Sequence, residues 1–292
     1  MFALLSSTMF AVCNVVDKFV LTKKIRDSFS YNILNGALSI LPVILLAFYL
    51  KLNFDILALT ATLYGFVFAF LFVVYNKAMM EGEASRIVSV MRISPVFVLT
   101  LSFIFLNEIL SYQKYLGILF LVSSAVLVSY KKSKKKFQLS GGVALILLYS
   151  FSAACLSIVM KYTLGQTDYW AFFFWNLIGN MIGCLTLVTL PAIRKNLVKN
   201  VSSMNRSTWL TVLSADVFSW LGYLFYFIAA SIGYISLTSA VGSIQPLIVF
   251  MLTLALTIRR PKVLKEEIGR TSLLFKSVAV VFIIIGGYLI VI

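Results

Sequence analysis

The sequence predicts an all-α integral membrane protein with ten transmembrane helices, set out as two inverted five-helix repeats. Three observations carry that expectation. The 292 residues are 61% apolar and only 12% charged, with a mean hydropathy of +1.00, which leaves too little polar surface for a soluble domain. The charges fall in short runs between long apolar stretches. Two of those stretches also match one another at a fixed spacing.

An α-helix crosses the hydrocarbon layer in about 20 residues, and with no water there to bond the backbone each crossing must be helical. Apolar runs between charged or turn-forming breaks give spans at roughly 2–21, 31–50, 56–78, 84–107, 112–130, 140–163, 169–191, 208–231, 234–258 and 272–292. The closest pairs meet at tight turns, Met80-Glu81-Gly82-Glu83 and Ser231-Ile232-Gly233. The first stretch lacks the basic start and small-residue cleavage site of a signal peptide and reads as a first span. The organisation is then a first repeat at 1–130, a basic linker at 131–139 and a second repeat at 140–292.

The net charge is +15, from 25 Lys and Arg against 10 Asp and Glu. No basic soluble domain carries it, so no nucleic-acid partner is expected. The loops after spans one, three, five, seven and nine, with nearby intramembrane positions, hold every Lys and Arg except Lys51, Lys114 and Lys161. The positive-inside rule puts those loops in the cytoplasm and both termini outside. The expected setting is the plasma membrane, with a multi-pass chain, the lipid bilayer and a small-molecule substrate as partners, and a monomeric or homodimeric state. The basic run at 131–136 reads as a solvated linker between the halves.

The repeat is specific. Between 75–101 and 226–252, at a constant offset of 151, the coinciding residues are Tyr75/Tyr226, Ala78/Ala229, Gly82/Gly233, Ser85/Ser236, Val90/Val241, Ile93/Ile244, Pro95/Pro246, Val98/Val249 and Leu101/Leu252. Shared apolar composition does not align a Tyr, a turn Gly and a Pro together. Lys18 and Lys161, near the ends of the first spans of their halves, correspond at an offset of 143. A five-span unit is odd, so the second copy enters the membrane from the opposite face, as in many secondary transporters. Pro95 and Pro246, inside the fourth span of each half, are expected to kink their helices and to free carbonyls toward a cavity.

Other chemistries are excluded or disfavoured. The chain has no His, so no His metal ligand, base or relay exists. Cys13, Cys155 and Cys184 lie far apart inside apolar segments and read as packing residues. No catalytic residue, metal or cofactor is expected: the sequence has no paired Cys, GxSxG motif or acidic metal cluster. An intramembrane enzyme is therefore a distant alternative, and no channel filter is visible.

In the stretch 78–117, Ser94-Pro95 sit in the fourth span, Asn107-Glu108-Ile109-Leu110-Ser111 close it, and Gly117 opens the fifth, nine residues after Glu108. This pattern resembles the EamA-like branch of the drug/metabolite transporter superfamily, which typically shows a Pro, a Glu and a Gly so arranged. The second half keeps Gln245-Pro246 and a late Gly286-Gly287, but Arg259 stands where the Glu is expected and a basic insert follows at 260–265, with Glu266 or Glu267 as a displaced equivalent. The resemblance implies export or exchange of small metabolites, amino acids or toxic compounds without ATP hydrolysis. It also implies cytoplasmic termini, opposite to the orientation that the charges favour.

Ionisable groups inside spans are functional candidates because they are costly there. Arg92 and Asp216 lie about eight residues into spans four and eight, roughly 12 Å deep at about 1.5 Å per residue. Coming from opposite halves with opposite charges, they are expected to pair across the cavity in one state and to part or bind substrate in the other; a permanent structural ion pair is the alternative. Asp17, Lys18 and Lys161 are coupling or gating candidates, Asp17 for a proton, with interfacial snorkelling as the other reading of Lys18. Asn14, Asn35, Asn176, Asn180 and Gln245 lie nearer mid-membrane, Asn176 and Asn180 on one helix face. Trp175, Trp220, Tyr75 and Tyr226 are candidate aromatic walls of a substrate cavity; helix–helix hydrogen bonding is the alternative for the amides. Trp170 and Trp209 read as interfacial anchors.

The function that these features suggest is secondary transport of small organic metabolites (amino acids or amphipathic, toxic compounds) by alternating access. A phosphate-ester or nucleotide-sugar antiporter is the alternative, with Arg92, Lys18 and Lys161 as phosphate contacts. Flipping of a lipid-linked substrate is a further one.

Overall fold

The computed structural model describes residues 1–50, 53–81, 87–88, 91, 93–129, 141–259 and 270–291. Among the described residues the chain is helical, without strands. Six helical segments are long and apolar enough to cross a membrane: Phe2–Lys23, Ser28–Tyr49, Ile56–Met80, Tyr169–Val188, Arg206–Ile232 and Ile235–Ile258. Four shorter apolar helices, Ser94–Leu106, Tyr112–Leu127, Leu148–Leu164 and Ser277–Ile290, lie between and after them. Each of these segments overlaps one expected span.

In chain order the helices are α1 (Phe2–Lys23), α2 (Ser28–Leu38), α3 (Ile40–Tyr49), α4 (Ile56–Glu81), α5 (Ser94–Leu106), α6 (Tyr112–Ser129) and α7 (Gly141–Leu164). They continue with α8 (Tyr169–Val188), α9 (Pro191–Ser202), α10 (Arg206–Ile232), α11 (Ile235–Val241), α12 (Gln245–Arg259) and α13 (Arg270–Val291). Asp27 caps α2 and Asp168 caps α8, each side chain accepting a backbone N–H of the first turn. The turn expected at Ser231-Ile232-Gly233 closes α10, with Gly233 N–H bonded to Ala229 O.

Three features differ from the sequence reading. The second span is two helices broken at Ser39, because Pro42 lacks the N–H that a continuous helix would give to the Leu38 carbonyl. The loop after the seventh span contains a helix, α9, with Pro191 in its first turn. Its Leu197 and Val201, with Met204 just beyond it, pack on the core, and Asn200 Nδ2 donates to Ser30 Oγ at 3.0 Å. The two prolines stand differently. Pro95 stands in the first turn of α5, where its missing N–H has no partner to lose, so it starts a helix. Pro246 lies inside the helical segment Ile235–Ile258. It lacks the N–H for the Gly242 carbonyl, and a 3-10 turn over Gly242–Ile244 interrupts the segment there, between α11 and α12.

Packing fixes which helices surround the centre. The closest seams are α4 with α8, α1 with α10, and α6 with α13. Small residues bring the first of these to backbone contact. A Cβ on Gly65 would collide with Asn176 O, and one on Gly179 with Thr62 O. Gly183, four residues on from Gly179, faces Ala69 and Phe66, so the pair forms a small-xxx-small stripe of the kind that joins helices in lipid. The α6–α13 seam repeats the device: a Cβ on Gly117 would lie 2.9 Å from Gly286 O. Away from these seams the surface is apolar. No residue of α3 is buried, and Phe48, Phe103, Phe105, Ile284 and Tyr288 are exposed, as a lipid-facing belt requires.

Replacing Gly179 by Leu should prise α4 from α8, because the new side chain meets backbone that cannot rotate away. Overpacking of this kind costs about 1–3 kcal/mol or more. Gly287→Ala, whose Cβ would meet nothing within 4 Å, should leave the unfolding midpoint of the purified protein unchanged. Equal midpoints for the two variants would contradict the assigned seam.

Candidate functional site

Two joined cavities occupy the middle of the helix bundle. The larger, of about 160 Å³, is bounded by α1, α4, α7, α10, the α11–α12 break, Val88, Met91 and Ser94. Rings such as Phe10, Tyr64, Phe68, Phe72, Tyr223 and Tyr226 share its walls with serine and threonine hydroxyls. Tyr223 sits at the hub, with its ring centroid 4.8 Å from that of Phe10 and 6.2 Å from those of Phe68 and Phe72. The smaller, of about 60 Å³, lies between α1, α2, α4, α8 and α10 and is lined by five asparagines and two aspartates together with aromatic rings. Cys13, Asp17, Phe68, Phe72, Tyr75, Ser219 and Tyr223 border both. Among the described residues lining the two cavities there is no Lys or Arg.

Asp17 is the polar centre at the junction. It is 5% exposed, so each oxygen needs a partner. Tyr31, from α2, donates to Oδ1 at 2.6 Å. Tyr75, from α4, donates to Oδ2 at 2.8 Å, and the Cys13 thiol, one turn back on α1, approaches Oδ2 at 3.5 Å. The Tyr75 oxygen also lies 2.8 Å from the Asn14 amide. Asn14 presents its Oδ1 there, so the one phenol proton serves two acceptors, Asn14 Oδ1 and Asp17 Oδ2. Three helices are thereby joined through a single carboxylate.

Asp216, from α10, is the second buried acid, 3% exposed. It borders the smaller cavity, as Asp17 does. Among the described residues its Oδ2 has no hydrogen-bond partner, and neither do Asn35 Oδ1 nor Asn76 Nδ2, of side chains that line the same space.

The sequence candidates divide accordingly. Asn14, Asp17, Tyr75, Tyr226 and Gln245 line the larger cavity. Asn35, Asn176, Asn180, Asp216 and Trp220 line the smaller. Trp175 stands apart from both: it borders a separate outer cleft and packs edge-on against Phe54 at 5.2 Å. Arg92, and with it the expected Arg92–Asp216 pair, lies outside the described residues.

The two span lysines border neither cavity; both bind backbone at helix ends. Lys18 Nζ donates to Met79 O near the end of α4. Lys161 Nζ donates to Ala230 O at 2.7 Å and Gly233 O at 2.8 Å at the end of α10. Cations there satisfy carbonyls that the helix leaves open. Glu108 holds the same turn from its other side. Its carboxylate accepts Ile235 N–H at 2.8 Å, Ser236 N–H at 3.2 Å and Ser236 Oγ–H at 2.6 Å. Asn107, the left-handed cap of α5 at φ 52°, turns the chain so that Glu108 reaches α11.

Sequence reasoning missed Tyr31, Asn32, Asn76, Ser219 and Tyr223. Asn32 carried a signal, since an amide in a span needs a partner; its Nδ2 donates to Ala69 O at 2.8 Å. The tyrosines carried none, because one Tyr among 14 does not reveal which ring faces inward.

Residues 1–130 match the EamA-like transporter family. No curated protein matches the chain. Among solved structures, one titled only "Crystal structure of protein" is 15% identical, with a TM-score of 0.65 over 99% of this chain and 93% of that one; at that identity the likeness concerns the fold. The family match and the apolar helices together support a multi-pass membrane transporter of the drug/metabolite type.

Tyr31→Phe and Tyr75→Phe each remove a donor from the buried Asp17 carboxyl. Each should cost about 2 kcal/mol of stability in unfolding titrations of the detergent-solubilised protein. Because both donors serve one acceptor, the double variant should depart from the sum of the single effects. Strict additivity, or losses near zero, would show that the network contributes nothing.

Proposed function

We propose that this chain, EamA-like over residues 1–130, is a secondary transporter that carries small organic solutes by alternating access, with the larger cavity as its solute site. The observation that carries this reading is a cavity between helices of both halves, α1 and α4 from one and α7, α10 and the α11–α12 break from the other. A pocket so placed changes its exposure when one half moves against the other.

The reading takes the chain as two equivalent five-crossing halves, 1–130 and 140–292, joined by a linker and inverted relative to each other. Matched contacts support it. Tyr75 approaches Asn14, and Tyr226 lies 3.4 Å from Ser157 Oγ; Tyr75/Tyr226 differ by 151 and Asn14/Ser157 by 143. Lys18 binds Met79 O and Lys161 binds Ala230 O, again at offsets of 143 and 151. Two independent polar contacts between the first and third spans thus recur in the other half with the same register. In this reading the loops after spans one, three, five, seven and nine face the cytoplasm of a plasma-membrane protein.

The lining points to the solute. Aromatic rings with one carboxylate at the edge suit an amphipathic molecule bearing a positive nitrogen, which ring faces and the carboxylate both attract. Amine-bearing metabolites and amphipathic toxic cations fit this class. The phosphate-ester alternative is disfavoured, since Lys18 and Lys161 are engaged with helix-end carbonyls.

Proteoliposome uptake and counterflow across aromatic amines, neutral amino acids and sugar phosphates test the assignment. Saturable uptake is expected for the amines, falling about tenfold in Asp17→Asn, as loss of one modest charge contact would give. Preference for sugar phosphates would overturn the solute class, and non-saturable flux for every solute would overturn carriage itself.

A further inference from the structure

We propose that the smaller cavity is a binding site for one small monovalent cation of about sodium's size, ligated by Asp216 and the amide oxygen of Asn35 beside the charge of Asp17. The proposal rests on the transporter reading for its meaning but on separate atoms for its evidence.

The first observation is chemical. Asp216 Oδ2 and Asn35 Oδ1 are buried acceptors with no donor directed at them, and both line this space. Leaving such oxygens unmet is costly, and a hard cation prefers carboxylate and amide oxygens. Asn76, 1% exposed with its Nδ2 unpartnered, presents a third oxygen once its amide is turned over. Asp17 differs from Asp216 in that both of its oxygens already accept phenol protons. It supplies field rather than a ligand, and Asp216 is the acid left to coordinate.

The second observation is the charge and size of the space. Two buried carboxyl groups, Asp17 and Asp216, border one small space, and no Lys or Arg lines it among the described residues. Among these residues no three His, Cys, Asp or Glu side chains converge, too few acidic ligands for a tight divalent site. About 60 Å³ has room for an ion and a water or two, not for an organic solute.

The third observation concerns where the space lies. Gly65 and Asp216 stand 151 apart, and Asn35 and Asn176 stand 141 apart, the same interval as the helix caps Asp27 and Asp168. In one half Gly65 lets α4 lie directly on Asn176. At the corresponding place in the other half, Asp216 and Asn35 line a polar cavity between α10 and α2. A dry glycine seam has been replaced by a carboxylate and an amide. Because Asp17, Tyr75, Ser219 and Tyr223 border both cavities, an ion here is one side chain away from the solute.

The test uses the purified full-length protein. Thermal unfolding is followed in sodium, potassium, methylammonium and N-methylglucamine chlorides at equal ionic strength, alongside equilibrium binding of radioactive sodium. A saturable rise in midpoint with sodium over N-methylglucamine is expected, as for any ligand that binds only the folded state. It should vanish in Asp216→Asn, and sodium should bind at least about tenfold more weakly to Asn35→Ala, as on loss of a ligand-shell partner; the Asn35 variant keeps the test open should Asp216→Asn not fold. No sodium effect, or a sodium effect intact in both variants, overturns the site. Stabilisation by methylammonium but not sodium also overturns it, and assigns the space to the solute's own ammonium group. Solute uptake in sodium-free proteoliposomes separates the two readings: uptake without any sodium binding leaves the carrier standing without this site, and sodium binding without uptake leaves the site without the carrier.

Discussion

Inside a bilayer every polar group of the chain must find a partner within the protein, and that constraint runs through the whole molecule. It makes each crossing a helix and sends both span lysines to carbonyls at helix ends. It surrounds the Asp17 carboxyl with hydroxyls from two other helices, and Glu108 closes the α10–α11 turn by meeting two backbone N–H groups and a hydroxyl. Of the four buried side-chain atoms left without a partner among the described residues, those of Asp216, Asn35 and Asn76 line a cavity, and Ser243 Oγ lies outside it.

The helix pairs around the centre differ in how closely they approach. Glycines bring α4 and α8 to backbone contact, whereas α10 and α2 are held apart around polar side chains. Likewise Tyr75 reaches a carboxylate and an amide, while the matching Tyr226 lies near a serine hydroxyl. At the offsets of 143 and 151, Asp17 and Asp216 correspond in the sequence to Met160 and Gly65. Both acids border the same cavity.

Much of this was legible beforehand, and what was not has identifiable causes. Long apolar runs mark crossings because nothing else in a sequence mimics them, so spans such as 56–78 and 208–231 were found within a few residues. The register Tyr75/Tyr226 also marked two residues that line the larger cavity. Hydropathy is blind to direction, however, so it did not tell Trp220, which faces the smaller cavity, from Trp175, which faces an outer cleft. It credited Lys18 and Lys161 to gating when backbone oxygens hold them. It also read Pro95 as a bend, since a sequence does not show whether the helix before a proline has already ended. Helix α9 was missed because a basic, half-polar segment looks like a loop unless its Ile193, Leu197, Val201 and Met204 are read at helical spacing.

The meeting of Gly117 with Gly286 has a bearing on how such a molecule is put together. Bare backbone on α6 fits bare backbone on α13, and each surface is a groove that lipid tails fill poorly. Helices α6 and α13 lie far apart in the chain, so this contact ties its middle to its last described helix and leaves no room for lipid between them.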